Sequence, residues 1–252
     1  MTFLVLGGTA MARELAVRLQ HAGMPVVCAL LGAEGGGGPR PPVEVVAGGF
    51  GGVEGTRKFL LARQVRAVVD ATHPFSGVTA GVLTAATTVG IPMVRLLAPS
   101  WAAQGGGPQW RWADDDAGAV RLATVLGAHR PFLNVGREPL RTYTVWADRY
   151  VLVRVPEVPA WPLPERWEVI RSLDGNAYAS EFALLTSRRI GLMVTHDTGG
   201  SLAEPKLRVA ADLGIFVVVV HRPAQPAGLR QFQTVPEAYG WVCRRWRPQD
   251  YC

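Results

Sequence analysis

Short apolar runs alternate with longer segments of helical spacing along most of the chain. Runs such as "TFLVLGG" and "VRAVVDAT" predict buried strands, because apolar and β-branched residues follow one another without interruption. Segments such as "TAMARELAVRLQHAG" place apolar residues every three or four positions and end on glycine, which predicts amphipathic helices. We expect strands at 2–8, 24–32, 43–49, 65–72, 91–97, 130–136, 149–156, 190–196 and 215–223, and helices at 9–23, 52–64, 76–91, 111–129, 181–189 and 204–214.

This alternation indicates an α/β protein with mostly parallel sheets that are covered by helices on both faces. The pattern begins again near residue 130, so we predict two Rossmann-like domains, 1–127 and 128–252. The proline-rich segment 156–165 is expected to be a linker. Ligands of such folds bind beyond the carboxyl ends of the strands, so polar residues at those ends are the candidates for function.

Composition narrows the class of protein. With 252 residues and 48% hydrophobic content, the chain can bury a core in each domain, and no apolar run approaches the ~20 residues that span a membrane. The start, "MTFLVLGG", lacks the basic region of a signal peptide, so a cytoplasmic protein is expected. The three cysteines are far apart and without CxxC spacing, so neither a disulfide framework nor a metal site is predicted.

The charge of the chain points to an anionic small molecule. The formal net charge is +6, and Lys58 and Lys206 are the only lysines among 26 basic residues. Arginine binds carboxylate or phosphate in a bidentate manner, although codon usage explains an arginine excess equally well. Because the basic residues are spread along the chain and form no stripe, no nucleic-acid partner is predicted.

The first strand ends in "LGGTAMA", residues 6–12, at the position of a dinucleotide-binding turn. Gly7 and Gly8 allow the backbone to approach a pyrophosphate, Thr9 offers a hydroxyl, and the small Ala12 lets the helix pack closely on the strand. Thr9 stands where a full GxGxxG motif has its second glycine, so a plain turn of another α/β protein remains an alternative.

The second strand bears on the choice of cofactor. An NAD-binding protein has an acidic residue about 20 residues after the glycine turn, which binds the ribose 2′-hydroxyl. The corresponding stretch here is "VVCALLGAEGGGGPR", with no acid before Glu34 and with Arg40 available for a 2′-phosphate. The sequence therefore favours NADPH over NADH.

Two further strand ends belong to the first half. The segment "GGFGG", 48–52, exposes backbone around Phe50 and suits a cofactor loop, although a flexible turn is an alternative. The segment "VVDATHPFSG", 68–77, places Asp70, Thr72 and His73 directly after a buried strand. Since a residue before proline avoids the helical region, His73 is expected in an extended segment that crosses the top of the sheet.

The second half repeats this arrangement in "VTHDTGGSLAEPKL", 194–207. A hydroxyl and two glycines before a helix can form a nest of amides for an anion, and Lys206 can add a charge. An ordinary helix cap with a solvated lysine is the alternative.

In combination these segments resemble the precorrin-6A reductase family of cobalamin (vitamin B12) biosynthesis, over nearly the whole chain. The resemblance lies in the order and spacing of "LGGTAMAREL", "GGFGG", "VVDATHPFSG", "LNVG", "VTHDTGG....EPKLRVAADLGI" and "VVVVHRP". It implies an NADPH-dependent oxidoreductase that acts on a CH–CH group and reduces one macrocycle double bond, from precorrin-6A to precorrin-6B. It also implies two α/β domains with an intervening cleft for the cofactor and the tetrapyrrole, for which a monomer is adequate.

The resemblance and the strand-end analysis together assign the site residues. The cofactor contacts are expected from Gly7, Gly8, Thr9, Ala12, Arg13, Arg40, Gly48, Gly49, Phe50, Gly51, Ala71, Thr72 and His73. The contacts to the polycarboxylate macrocycle are expected from Pro74, Phe75, His196, Thr198, Gly199, Gly200 and Lys206. Catalysis also needs a proton beside the hydride acceptor, and the candidates for its donor are His73, Tyr178, Lys206 and His196, with a substrate carboxyl or a water as alternatives.

The chain departs from the family pattern at three places. Where the family usually reads TKNSGG, this chain has His196 for the lysine and Asp197 for the asparagine. The family's SLAGR pattern is replaced by "ALLGAEGGGGPR", and an RGPF-like segment by "RSLDGNAY" with Tyr178.

Other functions were weighed against this one. A cobalt-containing substrate, as in the anaerobic route, is one alternative, and another NADP-binding reductase or epimerase is a second. A short-chain dehydrogenase needs Tyr-x-x-x-Lys, but Glu54 and Leu202 stand four residues before the two lysines. A non-enzymatic polyanion- or nucleotide-binding protein would leave "DATHPF" without a reason.

Overall fold

The computed structural model describes residues 1–30, 41–127, 129–171, 177–201 and 204–246. Strands and helices follow one another along the chain as β1 (Thr2–Leu6), α1 (Ala10–His21), β2 (Val26–Leu30), β3 (Glu44–Ala47), α2 (Gly52–Ala62), β4 (Val65–Asp70), α3 (Thr79–Thr88), β5 (Met93–Leu96), β6 (Trp110–Ala113), α4 (Asp116–Val125), β7 (Pro131–Asn134), β8 (Val151–Val155), β9 (Trp167–Arg171), α5 (Tyr178–Ser187), β10 (Leu192–His196), α6 (Pro205–Asp212), β11 (Phe216–Val220), β12 (Gln231–Phe232) and α7 (Val235–Cys243). Two 3-10 segments, Ala102–Gln104 and Glu138–Trp146, complete the described elements.

The chain forms two compact units. The first combines Met1–Ala98 with Pro223–Cys252, and the second is Pro99–Arg222. Each contains one six-stranded sheet whose neighbouring strands are parallel. The predicted α/β class with two parallel sheets is therefore confirmed.

The first sheet has the strand order β12-β5-β4-β1-β2-β3. Successive side chains of β1 face opposite sides, as the twofold repeat of a strand requires. Phe3 and Val5 join the core beneath α1 and α7, whereas Leu4 and Leu6 join the core beneath α2 and α3. Because both faces are covered, the strands are apolar at nearly every position.

The second sheet has the strand order β6-β11-β10-β7-β8-β9. One of its faces is covered by α5 and α6, whose Leu185 and Leu207 pack with Phe132 and Met193. The helix α4 packs against β6 and β11. Strands β7 to β11 thus repeat the arrangement of β1 to β5, and a sixth strand lies beside the fifth in each sheet.

These units differ from the predicted division at residues 127 and 128. Strand β6 pairs with β11, with Ala113 opposite Val220, so residues 99–127 belong to the second unit. Strand β12 pairs with β5, and α7 buries Trp241 in the first core. Both segments lie at a sheet edge, where the choice of partner depends on packing between residues far apart in the sequence.

Two other details differ from the predictions, namely the helix at 111–129 and strand β9, whereas the predicted linker is a connection between strands. The segment 111–129, predicted as one helix, contains the end of β6 followed by α4. The proline-rich segment 156–165 connects β8 to β9 within one sheet. Strand β9 itself was not predicted. Within the described part of the chain, no helix combines the length and the apolar character that a membrane crossing requires.

Candidate functional site

The strand order of the first sheet reverses between β1 and β4. Helix α1, which follows β1, lies on one face of the sheet, and α3, which follows β4, lies on the other. The segments that follow β1 and β4 therefore diverge at the carboxyl ends of these strands and leave a crevice there. Such a crevice is the usual ligand site of a doubly wound sheet.

Gly7 and Gly8 form the turn at the end of β1. A Cβ added at Gly7 would lie 2.7 Å from Cys28 Sγ and 3.0 Å from Leu30 Cδ2, so the close packing on β2 requires glycine. Gly8 has φ of 118°, a value that L residues with a side chain rarely adopt. The backbone is consequently bare at the position where a dinucleotide-binding turn meets its pyrophosphate.

Thr9 connects this turn to the end of β4. Its hydroxyl oxygen accepts a hydrogen bond from Ala12 N at 3.2 Å, which caps α1, and its hydroxyl donates to Ala71 O at 2.7 Å. The single hydroxyl proton is thus used to hold the two strand ends together. The predicted hydrogen bond from Thr9 to a pyrophosphate would have to replace this contact.

The beginning of α1 is suited to an anion. Its first turn leaves N–H groups without partners inside the helix, and the charged residue in that turn is Arg13, which is partly exposed. The neighbouring Cys28 is buried, and burial raises the pKa of its thiol to about 11, although the positive charge of Arg13 acts in the opposite direction. Ala12 is buried, as the close packing of α1 on the sheet demands.

The end of β4 is held by a buried polar network. Asp70 Oδ1 accepts hydrogen bonds from Thr72 N at 3.0 Å and from the Thr72 hydroxyl at 2.8 Å, and Asp70 forms an ion pair with Arg95. Asp70, Thr72 and Arg95 are all buried, and so is Ala71. Thr72, predicted to contact the cofactor, therefore uses its hydroxyl inside the protein, and Arg95 is a residue that the sequence analysis missed.

In the segment that follows Thr72, His73 and Phe75 are partly exposed, whereas Pro74 between them is buried. The Phe75 N–H points to His73 Nδ1 at 3.4 Å, and the two rings lie 5.8 Å apart. The His73 carbonyl accepts from Ser76 N at 2.8 Å, which closes a turn before α3. The imidazole is thus presented at the reversal point of the sheet.

The glycine segment after β3 begins α2. Gly48 and Gly51 have φ of 91° and 83°, and Gly51 is the residue that precedes the helix. The ring of Phe50 packs on Phe59, with centroids 4.3 Å apart, so Phe50 anchors this loop to the core while Gly48 and Gly49 are exposed. A Cβ at Gly55 would overlap the carbonyl of Phe50, a requirement that the sequence analysis missed. The predicted contact of Arg40 lies outside the described residues.

The second sheet reverses in the same way between β7 and β10. The hydroxyl of Thr195 donates to Asn134 O at 3.3 Å, and Gly136, two residues after β7, has φ of 78°. His196 ends β10, is buried, and has its Nε2 3.0 Å from Asp116 Oδ1. The same carboxylate oxygen accepts from the Tyr143 hydroxyl at 2.7 Å.

Asp116 therefore joins Tyr143 and His196. The three residues come from different segments: Asp116 begins α4 after β6, Tyr143 lies in the 3-10 segment after β7, and His196 is the last residue of β10. Burial and the charge of Asp116 raise the pKa of Tyr143. The sequence analysis named His196 but neither of its companions. For Asp116 the only local signal is the run "ADDDAG" at the start of a helix, where acidic residues are common for capping alone.

The loop 197–200 is tightly packed. The carboxylate of Asp197 accepts from the Ser100 hydroxyl at 2.5 Å and from Trp101 N at 3.0 Å, and Arg222 Nε donates to Asp197 O at 2.8 Å. Thr198 N donates to His196 O at 2.8 Å, and Gly200 N donates to Pro99 O at 3.0 Å. Two amides of the predicted anion nest are thus engaged within the protein.

The remaining two candidate proton donors also have partners. Lys206 is buried, with its Nζ 3.3 Å from Glu204 Oε2 and 5.9 Å from the centre of the Trp101 ring. The Tyr178 hydroxyl donates to Asp212 Oδ2 at 2.6 Å, in the contact between α5 and α6, and this hydrogen bond raises the pKa of Tyr178.

The structure therefore brings together Gly7, Gly8 and Thr9 with Ala71 to Phe75 in the first unit. In the second unit it brings His196 to Gly200 together with Pro99, Ser100 and Arg222. It places Tyr178 in a contact between helices.

Comparisons with known proteins agree on one family. A model of the family described as "Precorrin-6x reductase CbiJ/CobK" matches residues 2–243. Proteins named precorrin-6A reductase from Mycobacterium tuberculosis (strain CDC 1551 / Oshkosh) and Rhodococcus erythropolis are 38% and 36% identical to this chain, and each match covers 95% of this chain and 96% of the relative. A solved structure titled "CobK precorrin-6A reductase" superposes with a TM-score of 0.87 at 30% identity, over 97% of each chain. The chain therefore belongs to the precorrin-6x reductase CbiJ/CobK family.

Proposed function

We propose that this reductase takes its hydride from NADPH bound at the reversal point of the first sheet, and that precorrin-6A is its substrate. Family membership gives the coarser activity, which is reduction of a CH–CH bond of the macrocycle in cobalamin biosynthesis with a nicotinamide cofactor. The observation that carries the proposal is the classical dinucleotide-binding strand order, with Gly7 and Gly8 where it reverses.

The residues at that point fit a dinucleotide. Gly7 has no room for a Cβ, Gly8 has a φ that favours glycine, and the first turn of α1 presents N–H groups together with Arg13. When bound, the cofactor supplies the hydride, and the protein has to bind and orient it and exclude water. Gly48 and Gly49, exposed after β3, support the proposal that this loop borders the cofactor.

The preference for NADPH over NADH rests on the second strand, which has no acidic residue for the ribose 2′-hydroxyl before Glu34. Arg40 is the proposed contact of the 2′-phosphate. Exchange of Arg40 for alanine should weaken binding of NADPH far more than binding of NADH.

His73 is the proposed source of the proton. The imidazolium form of His73 would donate the proton and become the neutral imidazole, whose Nδ1 can accept from the Phe75 N–H, 3.4 Å away. Lys206 holds an ion pair with Glu204 in a buried position, and the raised pKa of Tyr178 makes its hydroxyl a poorer acid. Of the four candidate donors, His73 is the one proposed, because it is partly exposed at the reversal point where the cofactor is proposed to bind.

For the macrocycle, the proposed contacts are Pro74 and Phe75 in the first unit and His196, Thr198, Gly199, Gly200 and Lys206 in the second. The substrate carries many carboxylates, and the net charge of +6 favours its approach. His196 lies at the end of β10, and Asp116 orients its ring. We expect a monomer, because one chain supplies both sheets. We also expect this monomer to be cytoplasmic.

The test is a turnover assay with metal-free precorrin-6A. The purified protein is mixed with NADPH or NADH, and cofactor absorbance is followed together with the macrocycle spectrum. We expect loss of NADPH coupled to a new macrocycle spectrum and slower reaction with NADH. Reaction with only the cobalt-containing substrate would overturn the choice of precorrin-6A, and equal rates with both cofactors would overturn the choice of NADPH.

A further inference from the structure

Arg95 lies on β5 of the first sheet, between β4 and the edge strand β12, and contacts the segment that presents His73. We propose that Arg95 is a positioning residue of the cofactor site, because its guanidinium holds both ends of the segment 72–79 and thereby fixes where His73 stands. The proposal rests on the NADPH site proposed above and adds a residue through which that site is formed.

One guanidinium group makes all of the contacts. Its Nη1 donates to the hydroxyls of Thr72 at 2.9 Å and Thr79 at 2.8 Å, and its Nη2 lies 3.2 Å from Thr72 O and 3.3 Å from His73 O. Asp70, which stands opposite Arg95 in the pairing of β4 with β5, supplies the opposite charge. Arg95 and Asp70 are both 0% exposed.

These contacts fix the direction of the backbone. Successive carbonyls of a strand point to opposite sides, yet those of Thr72 and His73 both face the same guanidinium. The chain therefore leaves strand geometry at Thr72, and Pro74 prevents helical geometry at His73. Thr79 is the first residue of α3, so Arg95 connects the beginning of the segment to its end.

The backbone of β5 that carries Arg95 is itself fixed. Arg95 N donates to Arg230 O at 2.8 Å, and Leu97 N donates to Phe232 O at 2.9 Å, so β5 is paired with β12 at the position of Arg95. The guanidinium is planar and has donors in fixed directions, whereas the ammonium of lysine is a point charge. A lysine at this position could neutralise Asp70 but could not hold both carbonyls and both hydroxyls.

A second buried ion pair serves as a control for the effect of losing a buried, paired arginine. Arg154 on β8 lies 2.8 Å from Glu181 on α5, and each side chain is 2% exposed. This pair connects a strand of the second sheet to a helix, and the guanidinium also lies over the Phe132 ring. Arg154 is thus a matched control, because it has the same burial and pairing as Arg95 but belongs to the other unit and lies outside the proposed cofactor site.

The experiment compares Arg95→Lys, Arg154→Lys and Thr79→Val in the full chain. NADPH dissociation constants come from cofactor fluorescence, thermal midpoints from circular dichroism, and the KM for precorrin-6A is measured at saturating NADPH. We expect Arg95→Lys to weaken NADPH binding by about tenfold or more, because a small displacement of a positioning segment is costly, with the macrocycle KM less affected. Thr79→Val should weaken NADPH binding in the same direction by a smaller factor. Arg154→Lys should leave the NADPH dissociation constant unchanged even if its thermal midpoint falls.

Each result has a defined meaning. A folded Arg95→Lys protein that binds NADPH like the wild type would overturn the proposal, and so would an equal loss of binding in Arg154→Lys. If Arg95→Lys does not fold, Thr79→Val decides, since unchanged NADPH binding in that variant would overturn the proposal. If the wild type itself neither binds NADPH nor reduces precorrin-6A, the proposed function fails first, so the two failures are distinguishable.

Discussion

Gly199 and Gly200 form a matched pair for testing how tightly the loop after β10 is packed. Both have positive φ, 72° and 90° respectively. A Cβ at Gly199 would overlap the guanidinium of Arg222 and the carbonyl oxygen of Pro99, whereas at Gly200 the nearest heavy atom of the described residues, Glu204 Oε1, is 3.9 Å away. Alanine at the two positions therefore introduces the same backbone strain but very different steric consequences.

The magnitudes follow from these two terms. Gly200→Ala adds left-handed strain alone, which costs roughly 1–2 kcal/mol. Gly199→Ala adds the same strain and an overlap with backbone, for which overpacking typically costs about 1–3 kcal/mol more. It also displaces Arg222 from Asp197 O, so we expect a loss of about 3–4 kcal/mol in total and a difference of about 2 kcal/mol between the variants.

Urea unfolding followed by tryptophan fluorescence measures this difference. The signal comes mainly from the second unit, which contains Trp101, Trp110, Trp112, Trp146, Trp161 and Trp167, while the first contains Trp241 and Trp246. Thermal midpoints should fall in the same order, by roughly 2–4 °C for each kcal/mol in a chain of this size. Equal losses in the two variants would refute the tight packing of Gly199 against Arg222 and Pro99.

Three further predictions concern the first unit. Gly7→Ala should destabilise the protein by about 1–3 kcal/mol through its contact with Cys28 Sγ, and Cys28→Ala in the same chain should restore much of that loss in urea unfolding; additive effects would contradict the contact. Thr72→Val should cost about 1–3 kcal/mol, because Asp70 and Arg95 each lose one buried hydrogen bond, namely the one to the Thr72 hydroxyl. Thr72→Ser keeps the hydroxyl and should be close to wild type. Cys28, as the only cysteine in a variant with serine at the other two positions, should resist maleimide at pH 8 until the protein is unfolded. Because burial raises the pKa of Cys28 from 9.0 to about 11, its contribution to stability should be complete below pH 9 and decline as the pH rises towards 11, and a stability independent of pH across that range would contradict it.

The sequence predicts most elements of this fold, but it misses β6, β9, β12 and α7 and does not predict the membership of the two units. Runs such as "FVVVV" predict buried strands through their β-branched residues, and the reversal points lie at the ends of strands that were predicted in this way. Two of the four edge strands, β6 and β12, were different. Strand β12 has only two residues, and β6 contains Trp110, Arg111 and Trp112, so their partners are chosen by long-range packing with no local signature.

The same reasoning applies to the candidate site. Gly7, Gly8 and His73 have local signals, namely a bare turn after a strand and a residue before proline, and the structure places them together at one reversal point. Arg95 looks like an ordinary residue of an apolar strand, and its role depends on contacts 16 to 23 residues away along the chain. Asp116 meets Tyr143 across 27 residues of the chain and His196 across 80. Side-chain networks of this kind appear only when the strands are assembled.

The glycines show a further limit. Nothing in the sequence distinguishes Gly51 from Gly55. Gly51 is needed for its positive φ, whereas Gly55 is needed because a Cβ there would overlap the Phe50 carbonyl. Conversely, Thr72 has the residue type of a ligand contact but is buried in a network that supports the segment. A polar residue at a strand end can therefore either face a ligand or hold its neighbours, and the buried network of Thr72 shows the second role.

The central claim is that this reductase transfers a hydride from NADPH and a proton from the protein to the macrocycle. The most direct measurement is the mass of the product formed from precorrin-6A with NADPH that carries deuterium at the transferred position, and in parallel with ordinary NADPH in deuterated water. We predict one deuterium, from the cofactor, in the product of the first reaction, and one non-exchangeable deuterium, from the solvent, in the product of the second. A product without label from the cofactor, or no consumption of NADPH, would contradict the account.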